Sequence, residues 1–180
     1  MQPRIAPAEA PYAEPVAAAL AKIMPPGVPP LALFRIVARN ERVFARLMAG
    51  GLLDRGALTI RERELVIDRT CVRCGSSYEL GVHLAFYAAK ARLTADDVKD
   101  LRADDPDATG FAPRERLLLR LCDELHATAT IGDALWAELA AAYTPEQLVE
   151  LVVLAGYYHT IAFVTNAFRI PHEPFVNATL

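Results

Sequence analysis

The chain has 180 residues, 53% of them hydrophobic, with a net charge of -3, a pI near 5.8 and a mean hydropathy of +0.20. This is enough for one domain that buries about 70% of its unfolded surface, and weak acidity without a basic run excludes nucleic acid as an expected partner. Three cysteines, an odd number, exclude a disulfide framework. The N-terminus lacks the basic-then-apolar order of a signal peptide, so a cytoplasmic protein is expected. No membrane span is expected either, because Glu150, His159, Asn166 and Arg169 interrupt the apolar stretch Leu148–Ile170. The surplus of apolar residues points to a homo-oligomer.

In chain order, residues 1–12 are rich in Pro and Ala and read as an arm lying on the surface or on a neighbouring subunit. A short helix is expected over Ala13–Met24, then a stiff connector through Pro25-Pro26-Gly27 and Pro29-Pro30. Leu31–Ala38 and Asn40–Met48 read as helical pieces, the second broken at Gly50-Gly51. Thr59 with Glu62 forms a capping box that opens a helix running toward Gly75. Ser76, three residues ahead of Glu79, repeats the signal and opens the next helix. Thr94 caps a short acidic helix, and Ala103–Gly110 is a polar loop. Pro113 begins a helix with a stripe of Leu117, Leu118, Leu121, Cys122 and Leu125. Asp133 is expected to cap another helix that ends at Tyr143. Thr144-Pro145-Glu146-Gln147 opens the longest and most apolar helix, which stops before Pro171. No strand signal appears, so the fold class is all-α, with roughly seven to nine helices.

Chemistry concentrates in Leu58–Ala91. Glu64, Asp68 and Cys71 share one helix face by their spacing, and Glu79 and His83 are neighbours on the next helix. Glu64 also stands where a sister segment, Phe111–Leu119, carries Leu117. If the two helices pack, Glu64 approaches His83, the arrangement of a general acid/base. The alternatives are that Glu79 only closes its capping box and that Glu64 lies in water. The run Arg61, Arg63, Arg69, Arg73 reads as a solvated face, with Arg69 or Arg73 turned inward as the option for holding a substrate carboxylate. Cys71, Cys74 and His83 supply three zinc-type ligands without a fourth, so no metal and no cofactor are expected. His126 reads as a surface or capping residue, His159 as a core histidine or pocket wall, and Trp136 as core.

The stretch Cys74-Gly-Ser-Ser-Tyr78-Glu79-Leu-Gly-Val-His83, with Gly156–Phe168, resembles the carboxymuconolactone decarboxylase family, which includes the AhpD-type alkylhydroperoxidases. Those peroxidases carry a Glu, eleven residues, a Cys-x-x-Cys, three residues and a His. Counted back from His83, that pattern meets Glu64 but finds Ser76 and Glu79 in place of the cysteines. Cys71-x-x-Cys74 lies five residues too early. The likeness runs over about Leu31–Pro174. It implies an AhpD-like bundle over 31–174 after an N-terminal arm and first helix at 1–30, with a tail at 175–180. It also implies trimers or hexamers.

Two enzymatic readings follow. In the first, His83 transfers a proton on a small organic acid or carbonyl compound, as in lactone decarboxylation. Glu64 orients it, Glu79 or Tyr78 assists, and Tyr157, Tyr158, His159 or Asn166 line the pocket. In the second, Cys74 acts as the thiol nucleophile and Cys71 resolves it, as in a peroxidase or disulfide reductase. Against the second, a thiol late in a helix meets the negative end of the dipole. A non-catalytic helical protein that binds a small molecule is a third reading. Acid/base chemistry is the preferred one.

Overall fold

The computed structural model describes residues 2–25 and 27–176. Met1, Pro26 and residues 177–180, parts of the expected arm, connector and tail, lie outside the described residues. Among the described residues there are nine α-helices and no strand: α1 (Glu14–Ile23), α2 (Ala32–Val37), α3 (Glu41–Ala49), α4 (Ile60–Arg73), α5 (Ser77–Ala91), α6 (Ala95–Asp100), α7 (Pro113–Thr128), α8 (Asp133–Ala142) and α9 (Pro145–Ala167). One turn of 3-10 helix, Pro106–Ala108, breaks the loop before α7. The capping boxes at Thr59, Thr94 and Thr144 all form. At α8 the cap is Gly132, and Asp133 is the first helical residue, correcting the expected boundary by one.

α4 is the axis of the bundle. It packs against α5, α7 and α9, and every residue from Glu62 to Cys71 is buried. A helix buried all round is ordinarily apolar. This one carries five charged side chains in that span, so each needs a partner. Arg69, fully buried, forks onto Asp123 at 2.8 and 2.6 Å and donates to the carbonyls of Leu101 and Ala103. Arg73 shares Asp123. Arg63 donates to Glu64 and to the Leu53 carbonyl. The arginine run is therefore internal wiring and not a solvated face, and neither Arg69 nor Arg73 is left for a substrate.

α4 ends in a Schellman turn: Ser76 N–H bonds the Cys71 carbonyl, Gly75 N–H bonds the Val72 carbonyl, and Gly75 takes φ +63°. α5 therefore starts within two residues and folds back along α4. By length and composition alone α9 is apolar enough to cross a membrane, although Glu150, His159 and Asn166 interrupt it. Its Leu148, Leu151, Leu154, Tyr158 and Ile161 form one wall of the core, while Val149, Val153 and Phe163 are exposed. Trp136, expected in the core, is 46% exposed, because α8 lies at the edge and turns only Leu135 and Leu139 inward. The N-terminal arm lies on its own subunit: Arg35 and Arg39 donate to the carbonyls of Ala6, Pro7 and Ala8, and Arg4 N–H reaches the Phe168 carbonyl.

Candidate active site

α4 and α5 run side by side, which brings Glu64 against His83. The Nδ1–H of His83 donates to Glu64 Oε2 at 2.7 Å, and both side chains are almost fully buried. Arg63 holds the other Glu64 oxygen at 2.9–3.0 Å, so the carboxylate is fixed from both sides. On the far side of the ring, Nε2 lies 2.9 Å from Tyr158 Oη of α9 and 3.5 Å from Glu79 Oε1. Tyr87, one turn beyond His83, stacks on the imidazole at 5.3 Å, under the guanidinium of Arg63.

Burial alone would lower the pKa of His83. Its hydrogen bonds to Glu64 and Glu79, with their charges, outweigh burial and push it up to about 10. The ring is an imidazolium at neutral pH. Burial raises Tyr158 well above its ordinary range, so it keeps its proton. Asp68, one turn after Glu64, is buried with neither oxygen hydrogen-bonded, and burial holds it protonated.

Nε2 faces a cavity of about 420 Å³, within the roughly 300–1,000 Å³ of small-molecule sites. His83, Glu79 and Tyr158 form its polar end. Leu33, Phe34, Val82, Phe86 and Ile161 form apolar walls, and Lys90 and Asp54 stand among the lining residues. Glu79 Oε2 is buried without a partner. The capping-box alternative for Glu79 is thus overturned: Ser76 makes no side-chain cap and instead pairs with Thr165 Oγ1 at 2.8 Å. Glu64 does not lie in water.

Of the residues expected to assist His83 or to line the pocket, Glu79, Tyr157 and Tyr158 line the cavity, and Tyr78, His159 and Asn166 do not. Tyr78 is buried nearby and donates to Glu173 at 2.6 Å while accepting from Leu33 N–H. Asn166 donates to the Cys74 carbonyl at the end of α4. His159, half-buried, turns away from the cavity and meets His126. Sequence reasoning missed Tyr87, Arg63 and Lys90. The spacing His83–Tyr87 was a usable signal for the first, whereas the role of Arg63 depends on burial of the entire α4 turn.

All three cysteines are free thiols. Cys71 lines a second cavity with Ser76, Leu80, Arg102 and His172, which shares no lining residue with the first. Cys74 lines neither. Burial raises the pKa of both thiols, Cys71 far more than the half-buried Cys74. Two clusters have metal-ligand spacing among the described residues: Glu64, Asp68 and His83, and Cys74, His126 and His159. In the first, Arg63 already occupies Glu64 and Asp68 carries a proton. Cys71, Cys74 and His83, weighed from the sequence as three ligands without a fourth, are not brought together among the described residues: Cys74 Sγ meets His126 instead.

Residues 40–124 match the carboxymuconolactone decarboxylase family. No curated protein matches the chain. Among solved structures, an uncharacterized peroxidase-related protein from Ralstonia eutropha JMP134, described as an alkylhydroperoxidase AhpD core, superposes with a TM-score of 0.85 at 15% identity, over 98% of this chain and 95% of that one. A peroxidase-related protein from Silicibacter sp. TM1040 gives 0.79 at 15% identity, over 99% and 97%. A protein of unknown function from Agrobacterium tumefaciens, described as a candidate AhpD antioxidant defence protein, gives 0.65 at 19%, over 75% and 93%. Through residues 40–124 the chain thus resembles the carboxymuconolactone decarboxylase family, and its helical fold is the one described for the AhpD core.

Proposed function

We propose that this protein is an acid/base enzyme acting on a small organic acid or carbonyl compound, as in decarboxylation of a lactone or β-keto acid. The observation that carries this reading is the chain Glu64–His83–Tyr158, at 2.7 and 2.9 Å, at the polar end of a largely apolar cavity. With His83 charged, Nδ1–H donates to Glu64 and Nε2–H to Tyr158 Oη, leaving the Tyr158 proton for a substrate oxygen. Carbon–carbon cleavage releases CO2 and leaves electrons on a carbonyl oxygen. Tyr158 protonates that enolate, His83 replaces the tyrosine proton, and solvent recharges the ring. Glu79, with one unpartnered oxygen, accepts a hydrogen bond from a substrate hydroxyl. Lys90, among the lining residues, supplies the cation for a substrate carboxylate. The apolar walls exclude water and strengthen each of these interactions.

A second reading is thiol-dependent hydroperoxide reduction at Cys74, with Cys71 resolving. It is favoured by the peroxidase-related names of the structural neighbours and by the 3.7 Å approach of Cys74 Sγ to His126 Nδ1. The raised thiol pKa values and the position of both sulfurs away from the His83 cavity support the first reading over it. Three unpaired thiols fit a reducing compartment such as the cytoplasm. The exposed apolar stripe of α9 fits assembly with further copies, as trimers or hexamers by resemblance.

The deciding experiment compares variants on lactones and β-keto acids and, separately, on organic hydroperoxides with a dithiol reductant. Turnover of a carbonyl substrate should survive replacement of all three cysteines by Ala and fall about 10²–10⁴-fold in His83→Gln. Hydroperoxide turnover lost in Cys74→Ser and untouched in Glu64→Gln would replace this reading with the second. No turnover of either class, with a tight ligand recovered from the purified protein, would make it a binding protein.

A further inference from the structure

Outside the His83 cavity, three helices bring one soft and two imidazole donors to a point. Cys74 closes the end of α4, His126 sits in the last turn of α7, and His159 projects from the middle of α9. His126 Nδ1 lies 3.7 Å from Cys74 Sγ and 3.2 Å from His159 Nε2, and all three atoms lie within 4.8 Å of one another.

Those spacings have a specific chemical meaning. A tetrahedral zinc ion with Zn–N near 2.05 Å and Zn–S near 2.3 Å has edges of about 3.3 Å between nitrogens and about 3.6 Å between sulfur and nitrogen. The observed 3.2 and 3.7 Å match both edges. Hydrogen bonds account for the contacts one at a time, whereas a shared cation accounts for one Nδ1 facing a ring nitrogen and a sulfur together.

The tautomer is prepared as well. His159 Nδ1–H donates to the Ala155 carbonyl at 2.8 Å, so its Nε2 carries a lone pair aimed at the cluster. Metal-bound histidines are held by such a partner on the other nitrogen. The field agrees: α4 and α7 both end here, and helix C-termini favour a cation and disfavour a bare thiolate. Asn166, one position from the end of α9, ties that helix to the Cys74 carbonyl at 2.8 Å and holds the sulfur in register with His159.

We propose that Cys74, His126 and His159 form a binding site for one zinc ion, with a fourth, open position on the solvent-exposed side of His126. Binding displaces the Cys74 thiol proton to solvent and leaves a thiolate with two neutral imidazoles, net charge +1 with the metal. Its location gives it a purpose. His159 is the residue after Tyr158, so a metal that joins α4, α7 and α9 fixes the helix that delivers the tyrosine to His83. The same ion masks Cys74 from oxidants.

The test uses full-length protein stripped with a chelator and titrated with Zn²⁺, then with Co²⁺ as a spectroscopic probe. One Zn²⁺ per chain is expected, with a rise in Tm at excess metal. A thiolate-to-Co²⁺ charge-transfer band should appear, and Cys74 alkylation should slow when Zn²⁺ is present. Cys74→Ser should abolish the band, and His126→Ala and His159→Ala should each weaken binding about a hundredfold, since losing even an outer partner costs roughly 10–100-fold. His172→Ala, at an exposed histidine elsewhere, should bind as the parent does. Circular dichroism of each variant separates misfolding from ligand loss, and Cys74→Ala at this partly exposed position supplies a second folded probe. Binding that is not stoichiometric, or that persists in Cys74→Ser and His126→Ala folded like the parent, overturns the proposal.

Discussion

The proton on His83 is the feature on which the site turns. Its ordinary pKa of 6.5 rises to about 10 in the fold. Between those values the folded chain binds a proton that the unfolded chain has released, so stability present below pH 6.5 is lost as pH rises toward 10. Asp68, also raised, contributes in the same direction from its ordinary carboxyl range upward. Urea unfolding from pH 6.5 to 10 should show the parent losing stability, with a smaller loss in His83→Gln; parallel curves would mean that Glu64 does not hold the proton. Asp68→Asn should flatten the fall in stability that begins above the ordinary carboxyl range, because an amide needs no proton to stay neutral. Lys90→Met should raise KM roughly 10–100-fold for a carboxylate substrate and leave kcat nearly unchanged, as expected for a lost charged contact worth about 1.5–3 kcal/mol. Glu64 was legible here, since an acid where the sister segment has Leu117 marks a buried position. Glu79 was legible only as one of two readings, because its spacing from Ser76 is also the spacing of a cap, and only the pairing of Ser76 with Thr165 decides between them.

At the scale of the element, α4 is a charged helix inside a core, and its cost is offset by partners for Glu62, Arg63, Glu64 and Arg69, while burial favours the neutral form of the unpartnered Asp68. Asp123→Ala removes the partner of both Arg69 and Arg73 and should destabilise by about 3–5 kcal/mol in urea unfolding, the toll of leaving a buried guanidinium unpaired. A value near zero would mean that water reaches Arg69. Gly75→Ala meets no atom within 4 Å, so its cost, about 1 kcal/mol, comes from φ +63° alone. It should leave the unfolding transition cooperative. Caps and breaks were readable because they are local: Thr59, Gly75, Thr94 and Thr144 act on backbone within four residues of themselves. Trp136 and the arginine run were misread for the opposite reason. Whether a helix is surrounded or lies at an edge is decided by neighbours distant in the chain.

For the whole molecule, α9 joins two surfaces with different tasks. Its inner face brings Tyr158 to the cavity, and its outer face presents Val149 and Phe163, 66% and 67% exposed, along one stripe. If further copies cover that stripe, Phe163→Asp should lower the mass measured by sedimentation and leave the helical signal unchanged. An unchanged mass would mean that the stripe is not the contact. From the amino-acid order alone came an all-α chain, its helix boundaries to within about three residues, and the Glu64–His83 pair, because capping and periodicity are short-range and two helices joined by a tight turn at Gly75 have few ways to pack. Tertiary packing alone decided that Tyr158 and not Tyr78 reaches His83, that Arg63 secures Glu64, and that Cys74 faces His126 and His159 and not Cys71. The Tyr158 and Cys74 contacts join helices with others between them and depend on the rotation of each helix about its axis, while Arg63 turns onto its neighbour Glu64 because α4 is buried all round; no spacing along one segment encodes either.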